Sequence, residues 1–129
     1  MKNNIFSTIK YLFYFSFITL IILYLFPGSL IGYFLYGNPG QQPELISNPM
    51  GTSINHLIFF FYLSILGFAF RINQKKLINS FSFLFFTSII LELSHHLIPN
   101  RAFELSDLYA NSIGVLLAYS VFKFVKMII

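Results

Sequence analysis

The side chains able to do chemistry in this sequence are few, and most lie close together. Glu92, His95 and His96 stand at i, i+3 and i+4, which puts a carboxylate and two imidazoles on one helix face if the helix continues that far. Arg101 and Glu104 follow, and Asp107, Asn111 and Gly114 form a second stripe at i, i+4 and i+7. His56 stands apart, next to Asn55. Arg101 is suited to hold a carboxylate or phosphate bidentately. A histidine beside Glu92 or Asp107 is the combination used for general acid–base work. Glu92 with His95 also has the E-x-x-H spacing of carboxylate-bridged metal bundles, but that motif normally occurs twice and here occurs once. No metal site and no cofactor are therefore expected. With no Cys there is no thiolate ligand or nucleophile. Ser94 and Ser106 lack a catalytic context, so no catalytic residue is assigned and the reading leans away from an enzyme.

Each of these residues also has a plainer reading. Ser106 could cap a helix, with Asp107 placed against the helix dipole. Asn111 could be interhelical glue worth about 1 kcal/mol or less. His56 could be an ordinary interfacial residue, and Arg101 with Glu104 an exposed loop pair worth at most about 1 kcal/mol. Glu92 is harder to dismiss, because a carboxylate near the end of an apolar helix needs either Arg101 or a proton. None of the plainer readings explains why His56, Glu92, Arg101, Asp107 and Asn111 should share one end.

The segments that must position these groups are apolar. Of 129 residues, 8 are Lys or Arg and 4 are Asp or Glu; these make 9% charged, against 57% hydrophobic and 20% aromatic. Ordinary soluble domains carry about 25% charged residues, and a soluble chain this small could not bury so much apolar surface. A soluble enzyme, a disordered tail and a nucleic-acid binder are excluded. Uncharged runs predict four membrane spans, at roughly 7–26, 54–70, 77–95 and 107–125, with flanking lysines snorkelling to make up length. Lys2 and Lys10 before the first run resemble a signal peptide. No small-x-small site follows, since the run ends Tyr24-Leu25-Phe26-Pro27, so a retained span is expected.

Charge sorting gives the orientation. Lys2, Lys10, Arg71, Lys75, Lys76, Lys123 and Lys126 fall on one side, which the positive-inside rule assigns to the cytoplasm. Arg101 and all the acids, Glu44, Glu92, Glu104 and Asp107, fall on the other. Both termini are then cytoplasmic, and the loops at roughly 27–53 and 94–107 face outward. The first loop carries too many Gly and Pro residues to be a span, although Ser29 to Tyr36 is apolar enough to lie in the interface. No repeat or linker appears, so residues 1–129 are expected to form a single domain. The fold class expected is all-α: an integral membrane bundle of four transmembrane helices. Three segments deliver His56, Glu92, His95, Arg101, Asp107 and Asn111 to the same outer depth, where they could enclose a shallow polar pocket. Gly114 would let a neighbouring helix come close beside Asn111.

The stretch from Glu92 through His95, Pro99, Arg101 and Asp107 to Asn111 and Gly114 resembles the signature of VanZ-like membrane proteins: E-x-x-Q, then Pro-x-Arg, an Asp six residues after the Arg, and D-x-x-x-N-x-x-G. His56, with Leu63 and Gly67 after it, is similar to the family's other segment, a His opening a span. Together these cover about spans two to four. Two departures stand out. His95 occupies the Gln position, and Thr52 and Ser53 replace the Asp-Lys pair that commonly precedes the His. The resemblance implies a protein of the bacterial cytoplasmic (inner) membrane, in a family whose founding member is associated with low-level resistance to the glycopeptide teicoplanin. It supplies no molecular activity.

Three functions compete. The first is a non-enzymatic protein of the cell envelope whose outer pocket binds a lipid-linked wall precursor or a glycopeptide. Arg101 would contact an anionic group, Glu92 would orient Arg101, and Asp107 and Asn111 would hydrogen-bond the remainder. The second is an integral membrane hydrolase or transferase with His56 or His95 as general base beside Glu92 or Asp107. The third is a membrane subunit whose polar stripe docks a protein partner. The lipid bilayer is a partner in all three, nucleic acid in none, and the oligomeric state is left open.

Overall fold

A computed structural model describes residues 2–44, 46–71 and 77–128. The described chain is all-α, with helices α1 (Lys2–Leu25), α2 (Leu30–Tyr36), α3 (Ser53–Arg71), α4 (Leu77–Ser94) and α5 (Leu105–Ile128). No strand occurs among the described residues. α1 contains neither Gly nor Pro and stops ahead of Pro27, whose ring disfavours helical backbone in the residue before it. The Ser29 hydroxyl accepts from Gly32 N at the start of α2, and Gly37 closes that helix in the left-handed conformation at φ 66°.

Three helices are long and apolar enough to cross a membrane: Asn4–Leu25, Ser53–Phe70 and Leu105–Ile128. The apolar stretch Asn79–Ser94 is shorter. Among the described residues, length and composition thus support three of the four expected spans. α4 ends at Ser94 because the chain turns there, with His95 N bonding Glu92 O at 3.1 Å and His96 N bonding Leu93 O at 3.2 Å. That turn takes His96 off the expected shared face. It is exposed and stacks on Phe103, with ring centroids 4.7 Å apart. Ser106 also departs from expectation, lying inside the first turn of α5 rather than at its cap.

α3 is the central helix and packs against α1, α4 and α5. Its tightest approach is to α5, at Gly114. A Cβ there would stand 2.6 Å from Leu57 O and 3.0 Å from Phe61 N. Around this contact Phe60, Leu63, Phe68 and Val115 are completely buried. The exterior is also apolar, with Phe15 70% and Phe34 77% exposed, while Ser64, Ser88, Glu92 and Asn111 are sealed inside at 0%. Soluble proteins sort these residue types the other way. Lys10, Lys123 and Lys126 are exposed toward helix ends remote from the buried acids. Lys75 and Lys76 lie outside the described residues, as do the side chains of Lys2 and Arg71.

Candidate functional site

The polar side chains meet where α1 and α4 end and α3 and α5 begin. Tyr24 comes from the last turn of α1, and Ser53 and His56 from the first turn of α3. Glu92 is in the last turn of α4 and His95 just beyond it, while Asp107 and Asn111 occupy successive turns of α5. His56, Glu92, His95, Asp107 and Asn111 are all buried, Glu92 and Asn111 completely.

Hydrogen bonds link these groups from His95 to His56, and the Asp107–Ser53 pair lies beside the far end. Asn111 Nδ2 donates to Glu92 Oε2 at 3.2 Å and reaches Ser88 O at 3.5 Å. Both partners are acceptors, so the amide oxygen faces the other way and accepts from the Tyr24 hydroxyl at 2.8 Å. Tyr24 has then used its only proton, and its oxygen accepts from His56 Nδ1 at 2.6 Å. His56 Nε2 lies 3.4 Å from Asp107 Oδ2 and 3.4 Å from Gln42 Nε2. The Ser53 hydroxyl donates to Asp107 Oδ1. At the other end, His95 Nδ1 bonds Glu92 Oε1 at 3.1 Å, and Glu104 N approaches the same oxygen at 3.4 Å. His95 also stacks on Tyr24, centroids 5.1 Å apart, and its buried Nε2 has no hydrogen-bond partner among the described residues.

Arg101 does not pair with Glu92 or Glu104. Its Nη2 donates to Leu23 O at 2.5 Å and its Nε to Phe26 O at 3.3 Å. It thereby satisfies carbonyls that the end of α1 leaves without intrahelical partners, where a cation also suits the helix dipole. Burial lowers the guanidinium pKa, against the opposing pull of Tyr24, Glu92 and Asp107. It remains charged at any ordinary pH. Glu92 is held instead by Asn111, His95 and the Glu104 backbone.

Two cavities adjoin the network. One, of about 110 Å³, lies against Leu20, Leu23, Leu30, Ile31 and Phe59 and ends on His56. The other, of about 150 Å³, is bounded by His95, Asn100, Glu104 and Asp107. Ser29, Gln42 and Arg101 line both. The loop after α2 carries Gln42 onto His56 and is fastened by Asn55 Nδ2, which donates to Pro43 O at 2.7 Å.

Sequence reasoning missed Tyr24, Ser53 and Gln42 as members of this cluster. Tyr24 is one of 8 tyrosines in a Phe-rich chain, and nothing in its neighbours sets it apart. Ser53 carried a signal, since it stands where the resembled family commonly has Lys.

Residues 6–126 match the VanZ/LLP1 family model. No curated protein and no solved structure matches the chain. Because the family match takes in nearly the whole sequence, the chain belongs to the VanZ/LLP1 family.

Proposed function

From that family membership, we propose that the chain is a multi-pass protein of the bacterial cytoplasmic membrane whose outward-facing polar pocket binds an anionic amphiphile of the cell envelope. In this reading α1, α3, α4 and α5 all cross the membrane and both termini are cytoplasmic. α4, at 18 residues, is about 27 Å long, close to a hydrocarbon core of about 30 Å. The exposed aromatic face of α2, with Tyr33, Phe34 and Tyr36, suits the interface beside the pocket.

One observation carries the ligand class: the apolar cavity and the polar cavity share Ser29, Gln42 and Arg101 in their walls. The first takes a few carbons of an acyl or prenyl chain, and a phosphate or carboxylate head beside a guanidinium suits the second. A lipid-linked wall precursor has both parts, as does an acylated glycopeptide. Arg101 spends two donor groups on α1 carbonyls and has further N–H groups to offer an anion. The test is polyprenyl phosphate binding to purified protein in nanodiscs, run beside glycopeptide susceptibility of cells. Arg101→Ala should weaken binding by about tenfold or more, as loss of a charged hydrogen bond of about 1.5–3 kcal/mol implies. Unchanged binding at normal expression would remove Arg101 from the site and sink this reading.

A second reading, a membrane hydrolase or transferase, is favoured by the Glu92–His95 pair. A carboxylate on Nδ1 fixes the tautomer and leaves Nε2 basic, the arrangement that general-base histidines use. Under this reading His95→Gln retains polyprenyl phosphate binding but abolishes turnover of a phosphate- or ester-linked lipid. Absence of turnover by the unaltered protein excludes it.

A further inference from the structure

We propose that His56, Glu92 and Asp107 bind one divalent transition-metal ion, with zinc the best match. The three residues come from α3, α4 and α5, and all are buried. One donor atom from each lies within 4.8 Å of the other two. Donor atoms at the outer limit of that spacing must close by about 1.4 Å, to the edge of about 3.4 Å that bonds of about 2.0–2.2 Å to one ion require. The closest pair, His56 Nε2 and Asp107 Oδ2, is already 3.4 Å apart. That is about the edge of a tetrahedron with such bonds. One imidazole and two carboxylates form a donor set suited to zinc, iron(II) or manganese(II).

Charge supplies an independent reason. Among the described residues, no Lys or Arg lies within ion-pair distance of Glu92 or Asp107; Arg101 acts on both only from farther off, and their ion-pair partners are His56 and His95. Two buried carboxylates this close are costly unless protons or a cation offset them. The proton order along the chain sharpens the point. With Nδ1–H donated to Tyr24, a neutral His56 turns the lone pair of Nε2 toward a carboxylate oxygen. That contact is repulsive unless something positive sits between the two atoms; the Gln42 amide, 3.4 Å from Nε2, is the donor an ion would displace there.

The supporting contacts of a metal site are also in place. Tyr24 holds the far nitrogen of His56, Ser53 holds Asp107, and Asn111 and His95 hold Glu92. Such partners fix the orientation of ligands and tune their basicity. The set differs from the E-x-x-H pair, because His95 hydrogen-bonds Glu92 directly through Nδ1. A further sign points the same way. His95 Nε2, completely enclosed and without a partner among the described residues, belongs to a residue that lines the polar cavity with Asp107. With Nδ1 donating to Glu92, that nitrogen needs a hydrogen-bond donor, and a metal-bound water in the cavity is a strong one.

Protein purified in detergent on a histidine-free tag is analysed for metals by mass spectrometry, stripped with chelator, and titrated with zinc while thermal unfolding is followed. The expected result is one ion per chain, a lower Tm after stripping, and recovery with zinc. His56→Gln and Asp107→Asn should abolish the response. Tyr24→Phe should weaken zinc binding by about 10–100-fold, the usual effect of losing a supporting contact. Ser53→Lys places an ammonium beside Asp107 and should compete with the ion. If a substituted chain fails to fold, the stripped and refilled unaltered protein still decides the matter. No bound metal, and no thermal response to zinc, iron(II) or manganese(II), overturns the proposal and leaves protons as the compensating charge. Metal content is read without any lipid ligand, so this can fail while the binding reading stands, and the reverse.

Discussion

Asn111 is the residue on which the cluster turns. Its amide donates through nitrogen and accepts through oxygen, so it can join the Glu92 carboxylate to the Tyr24 hydroxyl. An aspartate there would face Glu92 with a like charge, and a leucine would fill the space but satisfy neither partner. Asn111→Leu leaves a completely buried carboxylate and a buried phenol each short of a bond. We expect a loss of about 1–3 kcal/mol or more, because the penalty for an unsatisfied buried group is larger when the group is charged. Thermal unfolding in detergent measures it, and an unchanged Tm would mean that the two partners repair the gap between themselves. At this scale the spacing of Glu92, Arg101, Asp107 and Asn111 located the cluster but not its pairings. Arg101 looked like the partner of Glu92 because opposite charges were scarce. The carbonyls it binds belong to α1, and backbone acceptors leave no mark in a sequence. Tyr24 was hidden for a related reason: its aromatic ring suits the apolar face, and only the geometry at α1's end reveals its hydroxyl as a link.

At the scale of elements, the bundle depends on how closely α3 and α5 approach. Asp107 and Ser53, and Tyr24 and Asn111, can bond only because Gly114 lets α5 lie on the backbone of α3 at Leu57 and Phe61. A methyl group there meets a carbonyl oxygen and a backbone nitrogen, and neither can rotate away. Gly114→Ala should therefore separate the helices locally and cost about 1–3 kcal/mol, the usual range for overpacking. Gly37→Ala provides a control on space, since no atom lies within 4 Å of a Cβ there, although its φ of 66° brings a separate backbone strain. Comparing the Tm of the two variants distinguishes a steric effect from a loss of glycine freedom. The long helices were legible as uncharged runs, and Gly114 as the closest contact followed from its i, i+3 relation to Asn111. The end of α4 was not legible, because Ser94, His95 and His96 continue a helical spacing. The turn there is accompanied by a local bond of His95 to Glu92 and by its tertiary stacking on Tyr24.

At the scale of the whole molecule, function hangs on which side of the membrane the polar end faces. The pocket reading takes that side to be external, from the basic residues at the opposite end. The structure adds a physical basis for fixed orientation: Lys10, Lys123 and Lys126 are exposed where they can reach a headgroup layer, and the buried acids are gathered at the other end. Moving that cluster of carboxylates through hydrocarbon would be expensive, so a folded bundle should not invert. The chain has no Cys, which makes single-cysteine labelling free of background. Asn38→Cys, in the exposed loop after α2, should react with a membrane-impermeant maleimide on intact cells. Lys126→Cys, near the exposed end of α5, should react only after lysis. The reverse pattern would put both cavities in the cytoplasm and replace an envelope ligand with a cytoplasmic one. The His56–Glu92–Asp107 cluster would keep its geometry either way, so orientation decides what the pocket meets and not how it is built.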